Sequence, residues 1–202
     1  MNRLPILPTA IVALAVAAMV ALGFWQLDRR VWKERLLAQY AANQQLPPMA
    51  FPVGSTDDKL LYRRAGAFCL NPTAWTVEGA GAHGWRLIAQ CRTGAEGPGF
   101  AAELGTTHDP NFRPAWRGGK VSGTIIAAPS HASLIEAAFS RAAPAPLMIV
   151  ADTAPAGLEP SPKPSPASIP NNHLAYAVQW FIFAGLAVVI YALALRRRAR
   201  AG

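Results

Sequence analysis

The sequence predicts a membrane protein in which two transmembrane α-helices flank an extracytoplasmic α+β domain. This domain is expected to be mainly antiparallel β, as a sheet or a small barrel. Residues 4–27 and 174–195 contain no charged side chain, and each run is longer than the roughly 20 apolar residues that a helix needs to cross the hydrocarbon layer. Between them lie short runs with two-residue periodicity, separated by turn-forming clusters, as is typical of antiparallel strands.

These features divide the chain into six segments and predict a multi-pass protein of the cell inner membrane. The segments are a cytoplasmic N-terminus at 1–5, a first transmembrane helix at 6–27, a periplasmic β-rich domain at 28–153, a Pro-rich strap at 154–172, a second transmembrane helix at 173–195 and a cytoplasmic basic tail at 196–202. A cleaved signal peptide is the alternative for the N-terminus, because Ala15-Val16-Ala17 resembles a cleavage site. The apolar stretch continues to Leu27, longer than a typical signal core, so we expect it to be retained.

The positions of the basic residues predict the orientation. Arg196, Arg197, Arg198 and Arg200 directly follow the second apolar run, and such charge marks the cytoplasmic side. The basic cluster at 29–35 favours the reverse orientation. We give more weight to the C-terminal run and therefore predict a cytoplasmic C-terminus. Although the formal net charge is +8, the central segment holds 14 Lys/Arg against 11 Asp/Glu and has no basic stripe, so nucleic acid is not expected as a partner.

Local patterns predict the elements of the central segment. Strands are expected at 62–70, 75–78, 85–91, 99–104, 120–127 and 146–151, with Asn71-Pro72 among the turns between them. A short helix is predicted over 130–141, and irregular chain is expected over 39–52 because of its prolines. The six prolines between 154 and 170 favour an extended strap, with a flexible linker as the alternative.

The two cysteines, Cys69 and Cys91, both lie in the central segment. An oxidising extracytoplasmic compartment would permit a disulfide between them, and two separate buried thiols are the alternative. Their spacing matches no metal-binding motif, and the chain contains no Cys-x-x-Cys-His sequence for haem attachment.

A candidate binding surface begins the second apolar run. His173, Tyr176, Ala177 and Trp180 are spaced i, i+3, i+4 and i+7, so they share one helical face. A planar hydrophobic ligand could use such a face, because an imidazole can bind iron while the rings pack along the macrocycle. The alternative is an ordinary interfacial belt of aromatic residues with a histidine facing lipid headgroups.

The exit of the first apolar run carries a matching set. Trp25, Arg29 and Trp32 share a helical face, which would come near His173 if the two runs pack side by side. Gln26 and Gln179 lie at similar depths, and an interhelical hydrogen bond between these two structural residues is expected. Arg29 could pair with an anionic group such as a haem propionate, or with a lipid phosphate.

Enzyme signatures are absent from the sequence. It contains no Gly-rich phosphate loop, no Gly-x-Ser-x-Gly elbow and no His-Glu-x-x-His motif. His83, His108 and His131 are scattered along the chain, and we expect them at surface or turn positions. We therefore expect no enzymatic activity.

Two segments carry a specific resemblance. Residues 23–33 read Gly-Phe-Trp-Gln-Leu-Asp-Arg-Arg-Val-Trp-Lys, and residues 171–181 read Asn-Asn-His-Leu-Ala-Tyr-Ala-Val-Gln-Trp-Phe. With the weaker motifs at 62–64, 84–86 and 118–123, they resemble the Surfeit locus protein 1 family, membrane-bound assembly factors for haem-copper cytochrome c oxidase. The two cysteines suggest a bacterial branch with a periplasmic domain.

The resemblance implies a non-catalytic factor that binds or presents haem a, transiently, during maturation of the largest oxidase subunit. It makes His173 the leading candidate for the haem iron ligand, with Tyr176, Trp180, Trp25 and Arg29 around the cofactor. The implied partners are that subunit or other assembly factors, together with membrane lipid. A membrane scaffold that binds such a partner without contacting haem is the alternative. One departure stands out: residues 100–106, Phe-Ala-Ala-Glu-Leu-Gly-Thr, replace the family's usual Val-Asn-Arg-Gly-Trp segment.

Overall fold

The structure is a computed structural model that describes residues 5–129 and 144–201. The helix predicted over 130–141 lies outside these residues. Within these ranges the chain forms two long helices and seven strands: α1 Ile6–Gln45, β1 Met49–Ala50, β2 Arg64–Cys69, β3 Asn71–Gly79, β4 Trp85–Arg92, β5 Gly99–Thr107, β6 Gly119–Ala127, β7 Leu147–Ala151 and α2 His173–Ala201. They form two compact units, residues 1–37 with 169–202 and residues 38–168. We call these the helix pair and the domain.

The helix pair confirms that the two apolar runs form helices, and these pack antiparallel. Both helices are long and apolar enough to cross a membrane. Thr9 near one end of α1 lies against Tyr191 of α2, with 2.6 Å between their hydroxyl oxygens. Towards the other end, Phe24 and Phe181 meet edge to face at 5.4 Å between ring centroids. Most side chains of both helices are exposed, as expected where lipid is the surrounding solvent.

The end of α1 differs from the prediction, since the helix continues to Gln45 through residues expected to be irregular. A proline disfavours the helical conformation only for the residue directly before it, which here is Leu46. The chain can therefore stay helical up to that point. Asn43 in this last stretch donates from Nδ2 to the carbonyls of Lys59 and Leu61, at 2.7 and 2.8 Å.

The domain contains one seven-stranded sheet with the order β1-β2-β6-β7-β5-β4-β3. Most neighbours are antiparallel, as predicted, and the pairs β1–β2 and β5–β7 are parallel. The observed strands overlap all six predicted ones. The turn expected at Asn71-Pro72 is wrong, because these residues begin β3. A pairing with β4 provides hydrogen bonds that the local propensity of Asn-Pro does not foresee.

The sheet is curled, because one short length of chain joins strands from its two sides. β2 and β3 stand almost at opposite ends of the strand order, yet only Leu70 separates them in sequence. At this junction the Leu70 amide donates to the Arg92 carbonyl at 2.7 Å. Cys69 and Cys91 form a disulfide beside it, which confirms that alternative for the two cysteines. The disulfide therefore joins the end of β2 to β4, beside the junction of β2 and β3.

One face of the curled sheet covers the main apolar core of the domain. Its fully buried members include Ile125 and Ile149 on neighbouring strands and the two cysteines of the disulfide. A smaller cluster of Ile88, Met148 and Val150 covers the other face of the sheet. β7 is buried along its whole length, which explains its continuous apolar sequence.

The Pro-rich segment up to Ser168 packs against the domain as a strap. Thr106 of β5 and Glu159 exchange two backbone hydrogen bonds, at 2.8 and 2.9 Å. Pro166 is buried, and the Gln44 amide donates to the Pro164 carbonyl at 3.2 Å. These contacts favour the strap over the flexible linker.

Candidate functional site

His173 is the first residue of α2, and it faces α1. Its ring nitrogen Nδ1 lies 2.7 Å from Oε1 of Gln26, and both side chains are partly buried. The helices can approach here because residue 23 is a glycine. A Cβ atom at Gly23 would stand 2.5 Å from the ring of Phe181. The absence of a side chain at one position of α1 thus lets the two polar residues meet.

The partner of Gln26 differs from the one expected from the sequence. Gln26 uses its side-chain oxygen on His173, and Gln179 is exposed. The physical reason is helical rotation, because residue 179 lies about 120° around α2 from residue 173 at 100° per residue. The two glutamines have similar depths, but they face different directions.

Aromatic side chains surround this end of the helix pair. Trp25, Trp32 and Tyr176 are each about half exposed. Trp180 is less exposed and meets Phe183 edge to face, at 6.3 Å between centroids. The indoles and the phenol therefore offer flat, apolar surface to a partner from outside the helix pair, rather than filling a closed core.

Arg29 lies over the ring of Trp32, with 4.3 Å between its Cζ atom and the ring centroid. This cation–π contact holds the guanidinium in place without an acidic partner. Arg30, one residue further, is bonded instead to Glu34 at 2.7 Å. Within the part of the chain that the structure describes, Arg29 thus keeps its hydrogen-bond donors for another group.

The chain before α2 adds further polar groups. The first helical hydrogen bond runs from the Tyr176 amide to the Asn172 carbonyl at 3.2 Å, so Asn172 stands at the N-cap position. Asn171 carries a buried side-chain oxygen that finds no hydrogen-bond donor within residues 5–129 and 144–201. An acceptor left in this state costs free energy unless a further group supplies a donor.

The residues at this end of the helix pair fit a haem group. A haem needs a nitrogen or sulfur ligand for its iron, apolar surface for the macrocycle and donors for its propionates. His173 provides a nitrogen, Nε2, that the bond to Gln26 does not use. Trp25 and Tyr176 provide apolar surface, and the guanidinium of Arg29 provides hydrogen-bond donors for a propionate. The described contacts join only Gln26 directly to His173 among the predicted site residues.

The weaker sequence motifs have structural roles in the domain. Gly84 has a φ of 76°, and a Cβ there would lie 2.5 Å from the Thr107 carbonyl oxygen. Gly118 has a φ of 120° and packs against the carbonyls of the β2–β3 junction. Tyr62, with a φ of 65°, stacks on Tyr40 at 4.9 Å, and burial raises the pKa of its phenol. These three motif positions shape the backbone of the domain.

Two residues that shape the structure were not identified from the sequence. Gly23 was read only as part of a motif, although a single glycine in an apolar helix often marks a close helix–helix contact. Glu103, in the segment that departs from the family pattern, is a buried carboxylate 3.6 Å from Arg86. The charge in an otherwise apolar strand could have signalled this ion pair.

The domain also carries an open cleft of about 650 Å³. Met49, Phe68, Lys120 and Ser122 are among the side chains that line it. Arg64 also lines the cleft, and it forms a salt bridge with Asp152, with 2.5 Å between Nη2 and Oδ2. The cleft contains none of the site residues predicted from the sequence.

Comparison with known families agrees with these observations. A model described as the SURF1 family matches residues 13–185, which include both site segments and the whole domain. A comparison with curated proteins found no match. Since the family match covers most of the chain, the protein belongs to the SURF1 family, a family of assembly factors associated with cytochrome c oxidase.

Proposed function

We propose that this protein is a non-catalytic assembly factor that holds haem a at His173 while the largest subunit of cytochrome c oxidase matures. The observation that carries the proposal is the hydrogen bond between His173 and Gln26. It consumes one ring nitrogen and leaves the other for a ligand bond. An interfacial histidine that merely faced headgroups would have no need of a fixed partner on the neighbouring helix.

The residues around His173 have distinct tasks in this proposal. When bound, haem a supplies an iron centre that accepts a nitrogen ligand. His173 provides this nitrogen, and Trp25, Tyr176 and Trp180 provide apolar contact for the macrocycle. Arg29, already positioned by Trp32, donates to an anionic edge group. Half-exposed aromatic residues suit a temporary ligand, because release does not require the helix pair to open.

The proposed orientation puts the domain in the periplasm and both termini in the cytoplasm. The disulfide Cys69–Cys91 supports an oxidising compartment for the domain. The arginines in the last turns of α2 support a cytoplasmic C-terminus. An antiparallel pair of spans then brings the N-terminus to the same side.

Haem binding is tested by purifying the full chain in mild detergent from cells that make haem a. We expect the wild-type protein to carry haem a and His173→Ala to lose it. His83→Ala is the matched control, because it removes a histidine from the domain and should keep the haem. Equal haem content in wild type and His173→Ala would contradict the proposal.

A scaffold function without haem is the second candidate, and the cleft in the domain favours it. Phe68 is largely exposed beside Lys120, a combination suited to an amphipathic surface of a partner protein. A pure scaffold predicts that substitutions at Trp25, Gln26 or Gln179 impair oxidase assembly and that His173→Ala does not. An assembly assay of these variants separates the two functions.

A further inference from the structure

The bond between Gln26 and His173 links the position of the ring proton to the orientation of the Gln26 amide. It joins Nδ1 of the imidazole to Oε1 of the amide at 2.7 Å. An amide oxygen has no proton to give and can only accept. Nδ1 is therefore the donor in this bond.

The position of this proton decides what the rest of the ring can do. A neutral imidazole carries a single ring proton, so a proton on Nδ1 leaves Nε2 with a free lone pair. A lone pair is what a metal ligand needs, and the partner of the other nitrogen sets which nitrogen provides it. The ring is thus prepared for a ligand bond before any ligand arrives.

We propose that Gln26 is a positioning residue for His173, which fixes the Nδ1–H tautomer and the ring orientation so that Nε2 is ready to bind iron. The identity of the bound group rests on the proposed function. The tautomer does not, because it is a property of the ligand-free protein.

The amide of Gln26 affects how strongly His173 can bind a metal. Histidine ligands commonly donate their second nitrogen to a carboxylate or a carbonyl, which raises the basicity of the ligand. A carboxylate would do so more strongly, but it would add a charge to an otherwise uncharged stretch of span. The neutral amide orients the ring and strengthens the ligand only moderately. A ligand bond of moderate strength suits a factor that passes its cargo on.

The simpler role for Gln26 is to tie the two helices together. That role and the positioning role make different predictions for the ring of His173, which can be observed directly. Gln179→Leu is a matched control for Gln26→Leu, since it removes the same amide from an exposed position at similar depth.

The first experiment uses the haem-free full chain in mild detergent, with nitrogen-15 in its histidines, at a pH where the rings are neutral. The His173 signals are assigned by their loss in His173→Ala. We expect the Nδ1–H tautomer in the wild type and in Gln179→Leu, and a shift to the Nε2–H tautomer in Gln26→Leu. An Nε2–H tautomer in the wild type, or an unchanged tautomer in Gln26→Leu, would overturn the proposal.

The second experiment loads the same proteins with haem a. Loss of a partner behind a metal ligand typically weakens binding by 10–100-fold, so Gln26→Leu should lose about tenfold or more in affinity. Gln26→Glu should retain binding and lower the midpoint potential of the haem, because a carboxylate makes the imidazole a stronger donor. Wild-type affinity in Gln26→Leu together with an unchanged potential in Gln26→Glu would also overturn the positioning role.

The two experiments distinguish failure of the proposed function from failure of the positioning role of Gln26. If the wild type has the Nδ1–H tautomer but binds no haem a, the proposed function fails and the fixed tautomer stands. If the wild type binds haem a through His173 and the Gln26 variants change neither tautomer nor potential, the positioning role fails and the proposed function stands.

Discussion

The helix pair and the domain are stabilised in different ways. The domain buries an apolar core against a curled sheet and joins two of its strands with a disulfide. The helix pair leaves most of its apolar side chains exposed and has only a narrow buried seam, which includes Gly23, Ala177 and Ala184. Its interhelical contacts include two polar ones, Thr9–Tyr191 and Gln26–His173.

This difference shows where the orientation of a polar side chain is fixed by its surroundings. In the domain, most polar side chains face water and could be exchanged at little cost. In the helix pair, a polar side chain inside the seam needs a partner, and a pair sets the rotation of both helices. His173 and Gln26 are such a pair, so their orientation follows from their surroundings.

Removal of the disulfide should weaken the domain most. The bridge spans 22 residues of sequence, and in the chain-entropy account a loop of this length stabilises the fold by about 3 kcal/mol. Cys69→Ala with Cys91→Ala should therefore lower the thermal midpoint of the domain, measured by protease resistance of the full chain in detergent. A midpoint equal to that of the wild type would show that the stability of the domain does not depend on the disulfide.

Gly123→Ala should be the next most severe change. Gly123 lies in β6, where a Cβ would run into the backbone carbonyl of Val150 on β7. Overpacking against backbone costs about 1–3 kcal/mol, because the carbonyl cannot move aside. Gly79→Ala is the matched control, since nothing lies within 4 Å of its Cβ position. Equal protease resistance of the two variants would contradict the packing of β6 on β7.

Gly23→Leu should separate the helix pair without harm to the domain. The new side chain would collide with the Phe181 ring, at a cost of about 1–3 kcal/mol. Cysteines at positions 9 and 191, joined by a short bifunctional thiol reagent, report the pairing after the domain is cut by protease. Crosslinking should fall in Gly23→Leu and persist in Gly185→Leu, which meets nothing within 4 Å. A similar loss in both variants would mean that residue 23 is not a contact point.

The Thr9–Tyr191 contact should give the smallest effect. Hydrogen bonds between spans average about 0.6 kcal/mol by double-mutant cycles. The cycle of Thr9→Val and Tyr191→Phe, measured by unfolding of the helix pair in mixed micelles, should give a coupling free energy near that value. A coupling indistinguishable from zero would remove this contact from the account of helix packing.

The sequence predicted the elements better than their partners. Alternation in residues 85–91 and 120–127 places strands β4 and β6 almost to the residue, because one face of each must be buried. The continuity of β2 and β3 was not foreseen, since it depends on pairing with distant strands. The binding site shows the same division. Helical spacing and the resembling segment singled out His173, and depth in the span singled out Gln26. Only the rotation of two packed helices could show that they touch.

We propose that this helix pair holds haem a through His173 for delivery to the oxidase. The most direct measurement is the haem a content of the largest oxidase subunit in cells whose only copy of this protein carries His173→Ala. The account predicts a subunit that is deficient in haem a, while the variant itself accumulates normally in the membrane and His83→Ala restores full haem a. A subunit with its full complement of haem a in the His173→Ala cells would contradict it.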